Sequence, residues 1–108
     1  RGFAQLDFTQ PAERLLRRIR AATPRPGVDI ELVRAAKRMR IVRAKLGPEH
    51  AGRARPGALR VEAGRLLLAA SDAYLELEQI QLAGKRPMRA DELLRGFRVP
   101  DAEEARTP

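Results

Sequence analysis

Arginine is the residue type in this sequence that is best suited to chemistry, and that chemistry is anion binding. The chain of 108 residues has 22 Lys and Arg against 14 Asp and Glu, a net charge of +8, and 19 of the basic residues are Arg. A guanidinium offers two parallel donors to a phosphate, so this composition favours a polyanionic partner. The alternative is an arginine-rich composition whose side chains lie on solvated faces.

Residues suited to catalysis or metal binding are scarce. There is no cysteine, which excludes disulfides, thiolate nucleophiles and sulfur-ligated metals. The one histidine, His50, lies in the loop-forming string Gly47-Pro48-Glu49-His50-Ala51-Gly52, so a multi-histidine metal site cannot form. We therefore predict no metal site in this chain, and we expect no catalytic role for His50.

The basic residues are concentrated in the first half of the chain. Residues 1–47 hold 12 basic and 4 acidic side chains, a net charge of +8, whereas residues 70–82 hold 3 acidic and no basic ones. Such segregation is expected of a nucleic-acid-binding surface, because each neutralised phosphate releases counterions. Three Phe and one Tyr are few for stacking on single-stranded bases, so we expect contacts to the backbone of folded or double-stranded RNA.

Hydrophobic spacing predicts the elements that must position these charges. Apolar residues recur at helical spacing over Thr9–Ala22, which predicts a helix with Thr9 as its N-cap. Alternating apolar and acidic residues predict a strand at Val28–Leu32. The prolines and glycines of Leu46–Gly57 predict the longest loop.

A second strand, predicted at Lys37–Leu46, contains a conflict of parity. Met39 and Ile41 share one face, and strict alternation would place three cations on that apolar face, namely Lys37, Arg43 and Lys45. A strand that is bulged, or exposed at both ends, resolves the conflict.

The second half of the chain is predicted to contain hairpins and a short helix. The three strands expected there are Ala58–Glu62, Arg65–Ala70 and Tyr74–Leu82. Tight turns are expected at Ala63-Gly64 and Ser71-Asp72, and a bulge near Glu78-Gln79. The acidic start and glycine end of Asp91–Gly96 predict a helix of about two turns.

Together these elements predict a mainly β domain. The expected architecture is a small open Greek-key, OB-like barrel of five to six strands, with an N-terminal helix and a short C-terminal helix. We expect residues 1–5 to be a tail or linker, residues 6–98 to form the domain and residues 99–108 to be a flexible tail. No apolar stretch approaches the roughly 20 residues of a transmembrane helix, so no membrane partner is expected.

Several strings resemble, in their order and spacing, the C-terminal domain of methionyl-tRNA formyltransferases. The resemblance covers residues 6–97 and rests on Leu6-Asp7-Phe8-Thr9-Gln10-Pro11-Ala12, Pro24-Arg25-Pro26-Gly27, Gly64-Arg65-Leu66-Leu67-Leu68-Ala69 and Gln81-Leu82-Ala83-Gly84-Lys85-Arg86-Pro87-Met88. The last string is similar to the family's Gln-x-x-Gly-Lys-x-x-Met segment. Arg25 and Leu82 stand where the family often has an aromatic residue and a proline.

The resemblance implies an activity for a longer parent protein. It implies an N-terminal catalytic domain, absent from this chain, that uses 10-formyltetrahydrofolate as formyl donor, so this segment alone is expected to be catalytically inert. The implied task of the segment is to bind initiator methionyl-tRNA on its basic barrel and to orient it for formyl transfer. The implied location is the cytoplasm.

From the charge pattern and the resemblance together we predict seven phosphate contacts: Arg18, Arg20, Lys37, Arg38, Lys85, Arg86 and Arg89. Some of them flank Gly84, where the absence of a side chain lets a phosphate approach the backbone closely. Two alternatives stay open. The chain is the C-terminal domain of a formyltransferase that acts on a sugar nucleotide or on formyltetrahydrofolate, or it is a stand-alone basic RNA-binding module.

Overall fold

The apolar face of the first helix packs in the core of the domain. The computed structural model describes residues 5–108 and places helix α1 at Ala12–Ala22. Its buried side chains are Ala12, Leu15, Leu16, Ile19 and Ala22. They recur at the helical period, and burying each leucine or isoleucine contributes about 1.5–3 kcal/mol. The predicted helix is confirmed, whereas most of the tail predicted at 1–5 lies outside the described residues.

The N-cap of helix α1 lies two residues later than the sequence predicted, at Pro11 and not at Thr9. Thr9 is not its N-cap, because the Thr9 hydroxyl donates to Asp7 Oδ1 at 2.6 Å and the helix starts after Pro11. The N–H of Ala12 donates instead to Asp72 Oδ1 at 2.9 Å. The helix N-terminus is therefore satisfied by a carboxylate from a turn 60 residues further along the chain.

The strands form one antiparallel sheet that curls around the core. In chain order, the remaining elements are β1 Val28–Leu32, β2 Lys37–Glu49, β3 Leu59–Glu62, β4 Arg65–Ala69, β5 Ala73–Leu82, β6 Met88–Arg89, α2 Ala90–Gly96 and β7 Ala105–Arg106. The sheet order is β3-β4-β5-β2-β1-β7, and β6 pairs with β5. Strands β3, β4 and β5 are consecutive neighbours, and β2, which precedes them in the chain, lies beside β5. This arrangement is a Greek key. The mainly β, half-barrel fold with two helices is confirmed.

Neither helix within residues 5–108 has the length and apolar composition needed to cross a bilayer.

Local turn chemistry was predicted well, and one loop boundary was not. The turn Ala63-Gly64 joins β3 to β4 with φ of +52° and +76°, both in the left-handed region that a two-residue hairpin requires. Strand β2 continues three residues past the predicted Leu46, because Glu49 still pairs with Ala73 on β5. The loop predicted at Leu46–Gly57 therefore begins only at His50.

The predicted bulge in β5 is present. Arg43 on β2 pairs with Gln79, but the next residue, Ala44, pairs with Leu77, so Glu78 is the extra residue on β5. The bulge changes the parity of β5, and as a result both Leu77 and Ile80 are fully buried.

The segment 99–108, expected to be a flexible tail, instead packs against both edges of the sheet. Strand β7 pairs with β1, and on the other side the N–H of Leu59 donates to Glu103 O at 2.9 Å. The Glu103 carboxylate is 1% exposed and accepts the N–H groups of Arg34 at 2.7 Å and Ala35 at 2.8 Å. The expectation was wrong because backbone hydrogen bonds and a buried carboxylate, rather than an apolar pattern, hold this segment.

Candidate nucleic-acid interface

Four cations line the outer face of β2, on the side away from the core: Arg38, Arg40, Arg43 and Lys45, here called the β2 stripe. Their side chains are between 37% and 72% exposed. Met39, Ile41 and Ala44 alternate with them and are buried in the core. The stripe is therefore a row of positive charge on a strand whose other face packs in the apolar core.

A bulge in β2 brings the two halves of the stripe onto one face. Strict alternation would place Arg43 on the face opposite Arg40, beside the core. The register shifts between Ile41 and Arg43, so that Val42 is an extra residue and the parity changes. The parity conflict visible in the sequence is thereby resolved.

The first half of the stripe is held by one buried carboxylate. Arg40 Nε donates to Asp29 Oδ1 at 2.8 Å, and Arg38 Nε lies 3.3 Å from Asp29 Oδ2. The Asp29 side chain is only 9% exposed. Gly27 makes room for this arrangement, because at its φ of +90° an added Cβ would lie 2.9 Å from Arg40 Cζ. Two cations thus share one carboxylate.

The second half of the stripe repeats this arrangement around Glu78. Glu78 lies 3.6 Å from Arg43 Nε and 3.8 Å from Lys45 Nζ. These three residues line a cleft of about 470 Å³ together with Arg20, from the last turn of α1. Three cations and one carboxylate therefore surround the cleft, and Arg20 is one of the predicted site residues.

Other predicted residues lie at the start of β2. The N–H of Ala83 donates to Arg38 O at 3.0 Å, which places the turn Ala83–Lys85 beside Lys37 and Arg38. A shallower cleft of about 220 Å³ lies between Arg38, Arg40 and Gly84. The structure therefore brings two further predicted residues, Lys37 and Lys85, beside Arg38 at the first end of the stripe.

The remaining predicted residues are engaged locally. Arg18 Nε donates to the backbone oxygen of Gln5 at 2.9 Å. Arg86 pairs with Glu92, and Arg89 donates two hydrogen bonds, of 2.8 and 3.1 Å, to Asp91. The hydrogen bond from Arg89 lowers the pKa of Asp91 below its ordinary value.

Sequence reasoning missed three members of the stripe: Arg40, Arg43 and Lys45. The signal was present, because Arg43 and Lys45 conflicted with the apolar parity of Met39 and Ile41 and a bulge was predicted on that ground. A bulge placed at Val42 would have assigned both cations to the face of Arg40.

His50 is a structural residue in this fold. Its ring is 7% exposed, with Nε2 at 2.9 Å from Ala70 O, and Nδ1 accepts the N–H of Gly52 at 3.1 Å. Both ring nitrogens are therefore engaged. Within residues 5–108, no group of three or more His, Cys, Asp or Glu side chains is placed to hold a metal ion.

Comparisons with known proteins agree with the order of the motifs. The family model "Formyl transferase, C-terminal domain" matches residues 2–98. A protein of Bradyrhizobium sp. (strain BTAi1) called methionyl-tRNA formyltransferase is 38% identical over 98 residues, which is 89% of this chain and 30% of that protein. Proteins of the same name from Cereibacter sphaeroides and Rhodopseudomonas palustris (strain HaA2) are 36% and 40% identical, covering 96% and 86% of this chain and 32% and 29% of theirs. The chain spans about a third of the length of these relatives.

Proposed function

Because the chain belongs to the formyl transferase C-terminal domain family, we propose that it is the tRNA-binding domain of a methionyl-tRNA formyltransferase. The observation that carries this proposal is the β2 stripe, in which a bulge aligns four cations on one outer face. The relatives' name includes tRNA as the formyl acceptor, and tRNA is a polyanion of the kind that the stripe fits.

The stripe is suited to phosphates because its cations are both oriented and in excess. Asp29 and Glu78 each fix two cations, which reduces the side-chain entropy lost when a phosphate binds. Around Glu78, two cations face one carboxylate, so this half of the stripe carries one more positive than negative charge. Gln79 and Gln81 lie beside Arg43 and Arg40 on the neighbouring strand, and their amides add hydrogen-bonding groups for the RNA backbone. Such a surface reads shape and phosphate position rather than base sequence.

Formyl transfer itself belongs to the rest of the parent protein in this proposal. The expected donor is 10-formyltetrahydrofolate, and a folate pocket needs convergent polar groups that await a ligand. Among residues 5–108 no buried side-chain nitrogen or oxygen lacks a hydrogen-bond partner. No buried polar side chain in this part of the chain thus awaits a ligand, and we derive no chemical step through it. Its role is to bind initiator methionyl-tRNA in the cytoplasm and to present the aminoacyl end to an N-terminal catalytic domain.

The test is binding of the chain to unformylated initiator methionyl-tRNA, to elongator tRNA and to an RNA duplex of similar length, from about 50 to 200 mM salt. The proposal predicts salt-dependent binding that favours tRNA over the duplex. Equal affinity for all three RNAs would indicate only a general basic module. Absence of binding would favour a formyltransferase that acts on a sugar nucleotide or on formyltetrahydrofolate.

A further inference from the structure

A second arginine-lined cleft lies beyond the Lys45 end of the β2 stripe. Its volume is about 390 Å³, and its lining includes Arg53, Arg55 and Arg60 together with the buried side chains of Leu59 and Tyr74. None of these residues was among the predicted phosphate contacts. The cleft is large enough for a nucleotide-sized group.

Strand register places this cleft on the same outer face of the sheet as the stripe. Lys45 pairs with Glu76 on β5, and side chains two residues apart on a strand share a face, so Tyr74 follows Glu76 on the outer side. Leu67 and Ala69 on β4 form a small apolar cluster with Tyr74, separate from the main core. Tyr74, which lines the cleft, therefore lies about 7 Å along β5 from Glu76, the residue that pairs with Lys45. The cleft is thus next to the Lys45 end of the stripe on the same face.

The cations of this cleft are available for a ligand. No carboxylate or other acceptor within residues 5–108 pairs with the side chain of Arg53 or Arg55. Arg60 lies 3.8 Å from Glu62 in a half-exposed ion pair, which contributes little in water. Two acidic residues also line the cleft: the Glu103 carboxylate accepts the backbone N–H groups of Arg34 and Ala35, and Glu104 is exposed, so the three arginines still outnumber the carboxylates.

The loop that carries Arg53 and Arg55 is fixed at both ends. His50 anchors its start, where the N–H of Arg53 donates to His50 O at 2.9 Å and the N–H of Gly52 to His50 Nδ1 at 3.1 Å. Its end is held by the N–H of Gly57, which donates to Ala69 O at 2.8 Å. The His50 ring packs edge-on against Tyr74, with ring centroids 5.1 Å apart. The two guanidiniums therefore stand on a rigid base, which lowers the entropic cost of binding.

We propose that this cleft binds one sugar–phosphate unit of the RNA that lies along the β2 stripe. Arg53 and Arg55 hold the phosphate, and the apolar edge formed by Pro56 and Tyr74 contacts the sugar. This inference rests on the proposed function and adds the point at which the RNA continues past Lys45.

The experiment compares the double variant Arg53→Ala/Arg55→Ala with Arg95→Ala/Arg98→Ala, a control that removes the same charge from exposed arginines at the end of α2 and just after it. The salt slope of tRNA binding is expected to fall by about 0.7–0.9 in the first variant relative to the control, which is one phosphate contact. Equal slopes in the two variants would overturn the inference while leaving the proposed function intact.

A probe that does not depend on tRNA separates the two proposals. Adenosine 5′-monophosphate, titrated to about 10 mM, is expected to shift the amide resonances of residues 53–55 and 57–58 and the ring resonances of Tyr74, whereas adenosine is not. These shifts should be lost in Arg53→Ala/Arg55→Ala. No shift with the phosphate present, or equal shifts in that variant, would overturn the inference. If the unaltered chain binds none of the RNAs, the proposed function, and not this inference alone, would be contradicted.

Discussion

Arg40 and Asp29 face each other across the β1–β2 pair, with the guanidinium Nε donating to Asp29 Oδ1 at 2.8 Å. Since the same carboxylate also holds Arg38, it sets the geometry of half the β2 stripe. The carboxylate of Asp29 thus orients two of the four cations of the basic surface.

Replacing Asp29 by Asn is expected to lower the free energy of unfolding by about 1–2 kcal/mol, because two charge-assisted contacts, each to a part-exposed arginine, are lost. Urea denaturation measures this loss. Glu62→Gln is the matched control, since Glu62 lies in an exposed ion pair 3.8 Å from Arg60 and should change stability by less than about 0.5 kcal/mol. An equal loss in both variants would show that Asp29 does not anchor the stripe.

Deletion of Val42 tests the bulge in β2. With the extra residue removed, regular alternation from Ile41 still places Arg43 and Lys45 on the outer face and Ala44 in the core, so we expect the deletion variant to fold and to keep the stripe on one face. Circular dichroism and thermal unfolding measure the result. Val42→Ala is the control, because it keeps the backbone length of β2 and removes only part of a half-buried side chain. A deletion variant that fails to fold, when Val42→Ala folds, would contradict the alignment mechanism.

Glu103 anchors the C-terminal segment, and Glu103→Ala is expected to cost about 2–4 kcal/mol of stability. The reason is that the N–H groups of Arg34 and Ala35 lose a buried carboxylate acceptor. Glu104→Ala, at the exposed neighbouring position, should cost less than about 0.5 kcal/mol. Hydrogen exchange at the Leu59 amide, which donates to Glu103 O, should accelerate only in the first variant. Unchanged exchange would show that the segment is held by other contacts.

The Asp7 carboxylate reports on the turn that precedes α1. The hydroxyl of Thr9, followed by its backbone N–H, holds the pKa of Asp7 below the ordinary value of 3.8. Stability from this contact is therefore present above pH 3.8 and is lost as the pH falls through the lowered pKa. In Thr9→Ala, NMR titration should show the Asp7 pKa closer to 3.8. An unchanged pKa would assign the shift to another neighbour.

Much of the fold was predictable because its signals are local. The helical period that ends at Ala22, the Ala63-Gly64 turn and the bulge beside Gln79 all depend on residues close in sequence. The cap on Ala12 and the docking of Glu103 were not predictable, because their partners lie 60 and about 69 residues away.

The candidate site was predictable only in part, for a related reason. Arg38 could be identified from local charge, but its alignment with Arg43 depends on where β2 pairs irregularly with β5. Charge counting also could not show that Arg86 and Arg89 form ion pairs with carboxylates of α2. The pairing of strands, rather than the composition, decides which cations stay available as a surface.

The central claim is that the β2 stripe binds RNA phosphates, and the salt slope of tRNA binding in Arg43→Ala/Lys45→Ala tests it most directly. Both side chains are more than half exposed, so the variant should fold. With Arg95→Ala/Arg98→Ala as the control of equal charge, we predict that the slope falls by about 1.4–1.8 in the stripe variant alone, which is two phosphate contacts. A slope equal to that of the control would contradict the account.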